Sequence, residues 1–399
     1  MRNSTERKPL SIYVHIPFCV KKCAYCDFLS APASSETMGN YVNLLCREIE
    51  KKAVCYPGYQ VKTVFFGGGT PTVLKAEQLE NILCKLNECF SISGNPFLSR
   101  YEAERPEITL ECNPGTADWD GLRRLREAGF NRLSIGLQSA RNEELRTLGR
   151  IHTWEDFLET YHLARKAGFQ NINVDLMAAL PGQRVESYVN SLERVTELAP
   201  EHISAYSLMI EEGTPFYERY GEAEEQRERD GEDREHLLPS EEEEREMYEL
   251  TRDVLARNGY RRYEISNYAR PGCECHHNIT YWRRGDYLGL GLGAASLVGD
   301  RRFSNAGELK DYEKGLRREE RRLSVQEQME EFMFLGLRLT DGVTSGEFQD
   351  SFHVPIETVY GTVLRKLESQ GLLTREGERI FLTGRGIDVS NMVFAEFLL

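Results

Sequence analysis

The chain has 399 residues, 40% of them hydrophobic, and a formal net charge of −14. Its length predicts a large domain with a smaller companion, its acidic balance argues against a nucleic-acid backbone as partner, and no apolar run approaches a membrane span. Ten cysteines behind the stretch MRNSTERKPL, which has no secretory apolar core, fit a reducing cytoplasm.

The first predicted element is an apolar strand that runs into three thiols, Ser11-Ile-Tyr-Val-His-Ile-Pro-Phe-Cys19, then Cys23 and Cys26. Thiolates at CxxxCxxC spacing can converge on one soft metal centre. A tetrahedral zinc site would need a fourth ligand and usually draws on CxxC pairs. An iron–sulfur cube held by three cysteines leaves one iron open, and Lys21 and Lys22 beside the thiols favour thiolates. The iron–sulfur reading is preferred.

The string YVHIPFCVKKCAYCDF resembles the radical S-adenosylmethionine (SAM) superfamily, in the branch of the oxygen-independent coproporphyrinogen III oxidases and their relatives. The resemblance implies a 4Fe–4S cluster on Cys19, Cys23 and Cys26, with SAM on the open iron. The oxidases carry a fourth cysteine two residues after the third; here Phe28 stands there. That departure favours the relatives, the HemW-type heme chaperones.

Further along, Tyr41 to Lys52 has helical periodicity, and the strand Val61 to Phe66 enters Gly67-Gly68-Gly69-Thr70-Pro71. Such glycines let backbone approach a ligand and expose N–H groups; the run resembles the GGGTP motif for the methionine end of SAM, on Gly68, Gly69 and Thr70. Strands follow at Glu107–Glu111, Arg132–Gln138, Ile172–Met177 and Ile203–Ile210, and an Ala-Gly-Phe trio closes two of the intervening helices at Gly129 and Gly168. A recurrence about one βα unit long predicts a parallel barrel of similar units. In such barrels chemistry collects at the C-terminal strand ends, where Glu111, Gln138 and Asp175 lie, with Arg150 just beyond. The segments ECNPGT, RLSIGLQS, LGR and NINVDLM resemble SAM-holding positions of the oxidase-like family. This implies SAM contacts at Glu111, Gln138, Arg150 and Asp175, with Tyr13 and Tyr25 flanking the cluster. Ala178-Ala179 departs from the family's tyrosine–glycine pair.

The stretch 216–246 is nearly all charged and is expected to be a solvated insertion with no buried face. After it, Arg262 to Tyr268 reads as a strand. Cys273, Cys275, His276 and His277 crowd into five residues, so a zinc site stays open but is not preferred. His277-Asn278-x-x-Tyr281-Trp282 resembles the HNxxYW motif associated with heme binding, which implies His277 as the heme ligand, with His276 as the alternative. The glycine run 285–293 lacks dinucleotide-type companions and predicts close packing. Relatives typically place a histidine where Ala295 stands.

From Ser324 the pattern gives helix, helix and hairpin, a winged-helix-like layout, with too few basic residues to persuade of DNA binding. The amphipathic tail 389–399 is expected to pack on its own domain, with transient membrane contact as the weaker option. The fold expected is α/β, a partial (β/α)6-type radical SAM barrel (1–215) with the acidic stretch (216–246), a connecting region (247–323) and a C-terminal helical, winged-helix-like domain (324–399). The resemblance implies a cytoplasmic heme chaperone with a 4Fe–4S cluster, SAM and heme, no catalytic residue, and apoproteins such as respiratory cytochromes as recipients. The alternative is an oxidase-like enzyme that oxidatively decarboxylates a porphyrinogen.

Overall fold

The computed structural model describes residues 7–92, 105–230 and 238–399. The chain runs through β1 (Lys8–Ile16), α1 (Ser35–Ala53), β2 (Tyr59–Gly68), α2 (Ala76–Cys89), β3 (Glu107–Cys112), α3 (Trp119–Ala128), β4 (Arg132–Gln138), α4 (Asn142–Thr147), α5 (Trp154–Lys166), β5 (Asn171–Ala178), α6 (Val185–Glu197) and β6 (His202–Ser207). Strands β1 to β6 lie side by side in chain order, each pair parallel. A parallel strand covered on both faces has no solvated side; β4 is accordingly buried along its whole length. Local chemistry sets the corners. Asp118 and Thr153 cap α3 and α5 by accepting the N–H groups of Gly121 and Asp156. Gly129 and Gly168 adopt φ of +118° and +96°, and Phe130 and Phe169 then enter the core. The repeated Ala-Gly-Phe is therefore the helix-to-strand corner of successive units.

The six-unit partial barrel matches the expected fold class, and it is not closed. Next come α7 (Pro215–Asp230), α8 (Glu241–Arg257), β7 (Arg261–Arg262), β8 (Asn267–Ala269), α9 (His276–Trp282), β9 (Tyr287–Leu290), β10 (Ala295–Val298), β11 (Arg301–Asn305), α10 (Leu309–Glu313) and β12 (Arg317–Arg322). β9 pairs parallel with β1 and continues antiparallel through β10, β11 and β12; beyond β6 the sheet continues antiparallel through β8 to β7. Close packing explains the glycine run: a Cβ on Gly289 would sit 2.2 Å from the Ala295 carbonyl oxygen. All of β12, sequence RREERR, is exposed.

Two expectations need correction. The strand read across 262–268 is broken, because the Glu264 carboxylate accepts hydrogen bonds from the Ser266 N–H and the Asn267 amide and folds the chain into a turn. The acidic stretch is not without a buried face. Phe216 and Tyr220 of α7, with Leu238, pack against Leu148, Met177, Leu180 and Leu208, and Met247 of α8 is buried. A few apolar residues at helical spacing suffice to seat a helix, and the surrounding charges hide them. Residues 231–237 of that stretch lie outside the described residues.

The C-terminal module comprises α11 (Val325–Gly336), β13 (Val343–Thr344), α12 (Ser345–Phe352), α13 (Ile356–Ser369), β14 (Leu373–Glu376), β15 (Arg379–Leu382), α14 (Gly384–Asp388) and α15 (Ser390–Ala395). Its three-stranded sheet has the order β13-β15-β14, with Gly377 at φ +63° in the hairpin turn. The tail packs on this module through Val393 and Phe397. The module grips the barrel beside α9. Buried Glu331 pairs with Arg284 at 3.1 Å and Arg302 at 2.8 Å, the Arg338 guanidinium lies 4.4 Å from the Trp282 ring centre, and Arg283 donates to the Gly342 carbonyl.

Candidate functional site

The three cysteines stand on the loop after β1, each half-buried. That loop is tied down on both sides: Cys19 N–H bonds Ala31 O, Ala24 N–H bonds Leu148 O, and Phe216 N–H bonds Ala24 O. Thr70 Oγ1 donates to Cys19 Sγ at 3.5 Å, and Arg150 Nη1 to Cys23 Sγ at 3.5 Å. Among the described residues no three acidic, histidine or cysteine side chains close on a single ion. A four-iron cube accepts each thiolate at a different corner, so its ligands stand wider apart than those of one ion. Three half-buried thiols on one loop, two of them braced by Thr70 and Arg150, are a donor set that suits a four-iron cluster.

Beneath the loop the strand ends form a polar pocket. Glu111, next to last in β3, is half-buried, and its Oε2 accepts the Gly68 N–H at 3.1 Å. Burial, then the neighbouring Asp175 charge, push its carboxyl up to about 8. Asp175 is likewise raised by burial, although the Asn173 amide donates to it at 2.7 Å. Arg150 donates to Asn113 Oδ1 at 2.7 Å and to the Gly136 carbonyl, while its buried Nε has no partner. Gln138 sits at φ +76° and accepts from the Tyr206 hydroxyl. Tyr13 shares a hydrogen bond with His15, and Tyr25 packs beside Phe216. Two unmatched carboxylates and an orphaned guanidinium nitrogen suit a zwitterionic, cationic ligand such as SAM.

The glycines also shape the loop. Gly68 N–H is spent on Glu111 and Gly69 N–H on Ile16 O. A Cβ on Gly69 would lie 2.5 Å from Phe18 O, so glycine here lets the cluster loop press onto the β2 end.

An inner cavity of about 290 Å³ joins the two recognised motifs, running from Phe28 past Tyr13, Glu111 and Asp175 to His277 and Tyr281. His277 is 1% exposed and forms its floor, stacked on Phe65. Its tautomer follows from a chain of hydroxyls. Thr63 donates to Ser11, and Ser11 to Thr280, so Thr63 Oγ1 receives the His277 Nδ1–H at 2.8 Å. The Nε2 lone pair then takes the Tyr281 hydroxyl at 2.9 Å. Burial lowers this imidazole to about 3, so it is neutral. His277 as heme ligand stays a proposal; its Nδ1 is held by Thr63 and its Nε2 receives the Tyr281 hydroxyl.

Sequence reading passed over Arg132, Asn113 and Thr63. Arg132 had one available signal, a cation opening an otherwise apolar strand. Its guanidinium is buried in the wall between the inner cavity and a larger one of about 840 Å³ at the opposite mouth of the barrel.

Comparison with known proteins bears on this arrangement. Residues 13–195 match the Radical SAM superfamily and residues 323–389 the HemN C-terminal domain. The chain is 37% identical to the protein named heme chaperone HemW of Lactococcus lactis, covering 98% of both chains. It belongs to the HemW family. The HemW of Bacillus subtilis is 36% identical, over 97% of this chain and 99% of that one. Among solved structures, coproporphyrinogen III oxidase (HemN) of Escherichia coli, described as a radical SAM enzyme, superposes with a TM-score of 0.81 at 26% identity, covering 100% of this chain and 91% of that one. The HemW-family chain thus shares the oxidase's architecture from the barrel through the C-terminal module.

Proposed function

We propose that this chain is a cytoplasmic heme chaperone that binds a 4Fe–4S cluster through Cys19, Cys23 and Cys26, SAM through the Glu111 pocket, and heme, which it passes to apoproteins such as respiratory cytochromes. Full-length similarity to proteins named heme chaperones carries the reading, and the polar pocket beneath the thiol loop supports it. The bound cluster supplies one-electron chemistry and an open iron. The chain's own groups do the holding: Arg150 braces Cys23 and Asn113, Thr70 braces Cys19, and Glu111 and Asp175 face the cationic end of the ligand.

The test is an anaerobic heme titration of cluster-reconstituted protein, followed at the Soret band. Saturable, stoichiometric binding and transfer to an apocytochrome support the proposal; no specific binding overturns it. The structural likeness to HemN favours a second reading, an oxidase-like enzyme. Turnover of coproporphyrinogen III with SAM and a reductant would establish that instead. Phe28, 64% exposed where the oxidases carry a fourth cysteine, weighs against it. Replacing Cys23 by alanine is expected to cut reconstituted iron from about four per chain to background; retention of the full cluster absorbance would remove the triad from this role.

A further inference from the structure

We propose that Asn173 and His202 are positioning residues for SAM, fixing the Asp175 carboxylate at the inner cavity through one directed chain of hydrogen bonds. The role rests on the SAM pocket proposed above and accounts for how its Asp175 wall is held.

The interior of a parallel barrel is ordinarily filled by layers of branched apolar side chains. Here the register of β4, β5 and β6 places Ser134, Asn173 and His202 in one row, with Gly136, Asp175 and Ser204 in the next. The first row is buried, with Asn173 2% and His202 1% exposed. Polar groups sealed in this way cost stability unless each finds a partner. All three are paired, and a fully satisfied network rigidifies what it touches.

The role of each atom follows from its neighbours. The Asn173 amide nitrogen donates to Asp175 Oδ1 and to Ser134 Oγ, each at 2.7 Å. Its oxygen therefore faces β6, where it accepts the Ser204 hydroxyl at 3.1 Å and the His202 Nδ1–H at 2.6 Å. With its proton on Nδ1, a neutral imidazole offers the Nε2 lone pair, which takes the Tyr263 hydroxyl at 2.8 Å. The Tyr263 oxygen in turn accepts the Cys275 N–H at 3.3 Å. Burial, and then the Arg132 charge, hold His202 well below its ordinary value, so it stays neutral. A flipped Asn173 amide would set its oxygen against the carboxylate and its N–H groups against the Nδ1 proton. His202 thus locks the amide in the orientation that donates to Asp175.

Asp175 shares the inner cavity with Glu111. Burial raises its carboxyl, and the Asn173 donor offsets part of that rise. A donor on one oxygen therefore favours the charged form and fixes its direction, and a carboxylate needs both to meet a cation. The far end of the chain is anchored on Cys275, directly before α9, whose His277 and Tyr281 line the same cavity. The row braces the Asp175 wall against the α9 wall.

The experiment is an anaerobic titration of full-length, cluster-reconstituted protein with radiolabelled SAM in equilibrium dialysis, with iron content per chain as the check on folding. Asn173→Leu and His202→Leu are each expected to weaken SAM binding about tenfold while iron is retained. His202→Asn keeps an N–H where Nδ1 stood and should return to within about threefold of the unmodified protein; it loses the Tyr263 contact just as His202→Leu does, so the difference between the two reports on Asn173. Tyr263→Phe, a milder change that frees the His202 tautomer, should weaken binding about threefold and replaces any leucine variant that fails to retain iron. In an Asp175→Asn background, Asn173→Leu should add no further loss, because it acts through that carboxylate. Full affinity in the folded variants, equal loss in His202→Leu and His202→Asn, or an additive loss in the double variant overturns the role. If Asp175→Asn binds SAM normally while Glu111→Gln does not, the positioning role falls and the pocket stands. If the unmodified protein binds no SAM, both fall together.

Discussion

Replacing Glu331 by alanine is expected to lower the unfolding free energy by about 3 kcal/mol, as for other buried ion pairs broken on one side. Its carboxylate is 6% exposed and receives Arg284 on one oxygen and Arg302 on the other. Removing it leaves two cations facing each other at a contact between α11 and the barrel. Arg302 is 29% exposed and can regain some water, which holds the expected loss at the lower end of the range for buried pairs. Because Arg284 lies two residues past the helix bearing His276 and His277, the substitution should also loosen that helix. Denaturant unfolding measures the first effect; limited proteolysis, with a new cut near Leu323–Ser324, measures the second. A variant with Glu331→Leu, Arg284→Met and Arg302→Met should recover most of the lost stability. A single-variant loss below about 1 kcal/mol would show that apolar packing, not this ion trio, seats the module.

Glu111→Gln is expected to remove a loss of stability that the protein otherwise suffers as pH rises from about 4.5 to about 8. The folded chain raises this carboxyl from 4.5 to about 8, first through burial and next through Asp175. A raised acid contributes stability that is fully present below the unfolded value and lost as pH climbs through the folded one. The wild type should therefore weaken between about pH 4.5 and pH 8, by at most about 1.4 kcal/mol per unit. The glutamine variant has no such proton to lose. It should be the more stable protein at pH 8.5 by a few kcal/mol and lose that advantage near pH 5. The same substitution should weaken SAM binding and abolish the proton release that accompanies capture of a cation beside a protonated carboxyl. Parallel stability curves for the two proteins would refute this assignment of the proton.

The barrel was legible because parallel strands leave their mark as unbroken apolar runs, and because Gly129 and Gly168 mark the same corner twice. The thiol triad and the polar strand ends were legible for a related reason: spacing and position along the chain already place them at one end of a barrel. What escaped depended on distant partners. Nothing in HHNITYW says that Thr63, from β2, will occupy one nitrogen of His277, or that the neighbouring histidine will face outward. The turn inside 262–268 hangs on one carboxylate, Glu264, which looks like any alternating polar residue in a strand. Phe216 and Tyr220 were concealed by the charges around them, although their spacing is helical.

The open sheet has two free ends, at β12 and at β7. One reads RREERR and the other is a pair of arginines. Strand ends invite pairing with any extended chain that drifts past. Bulky charged side chains at both ends discourage that encounter. A sheet finished this way resists edge-to-edge pairing with extended chains.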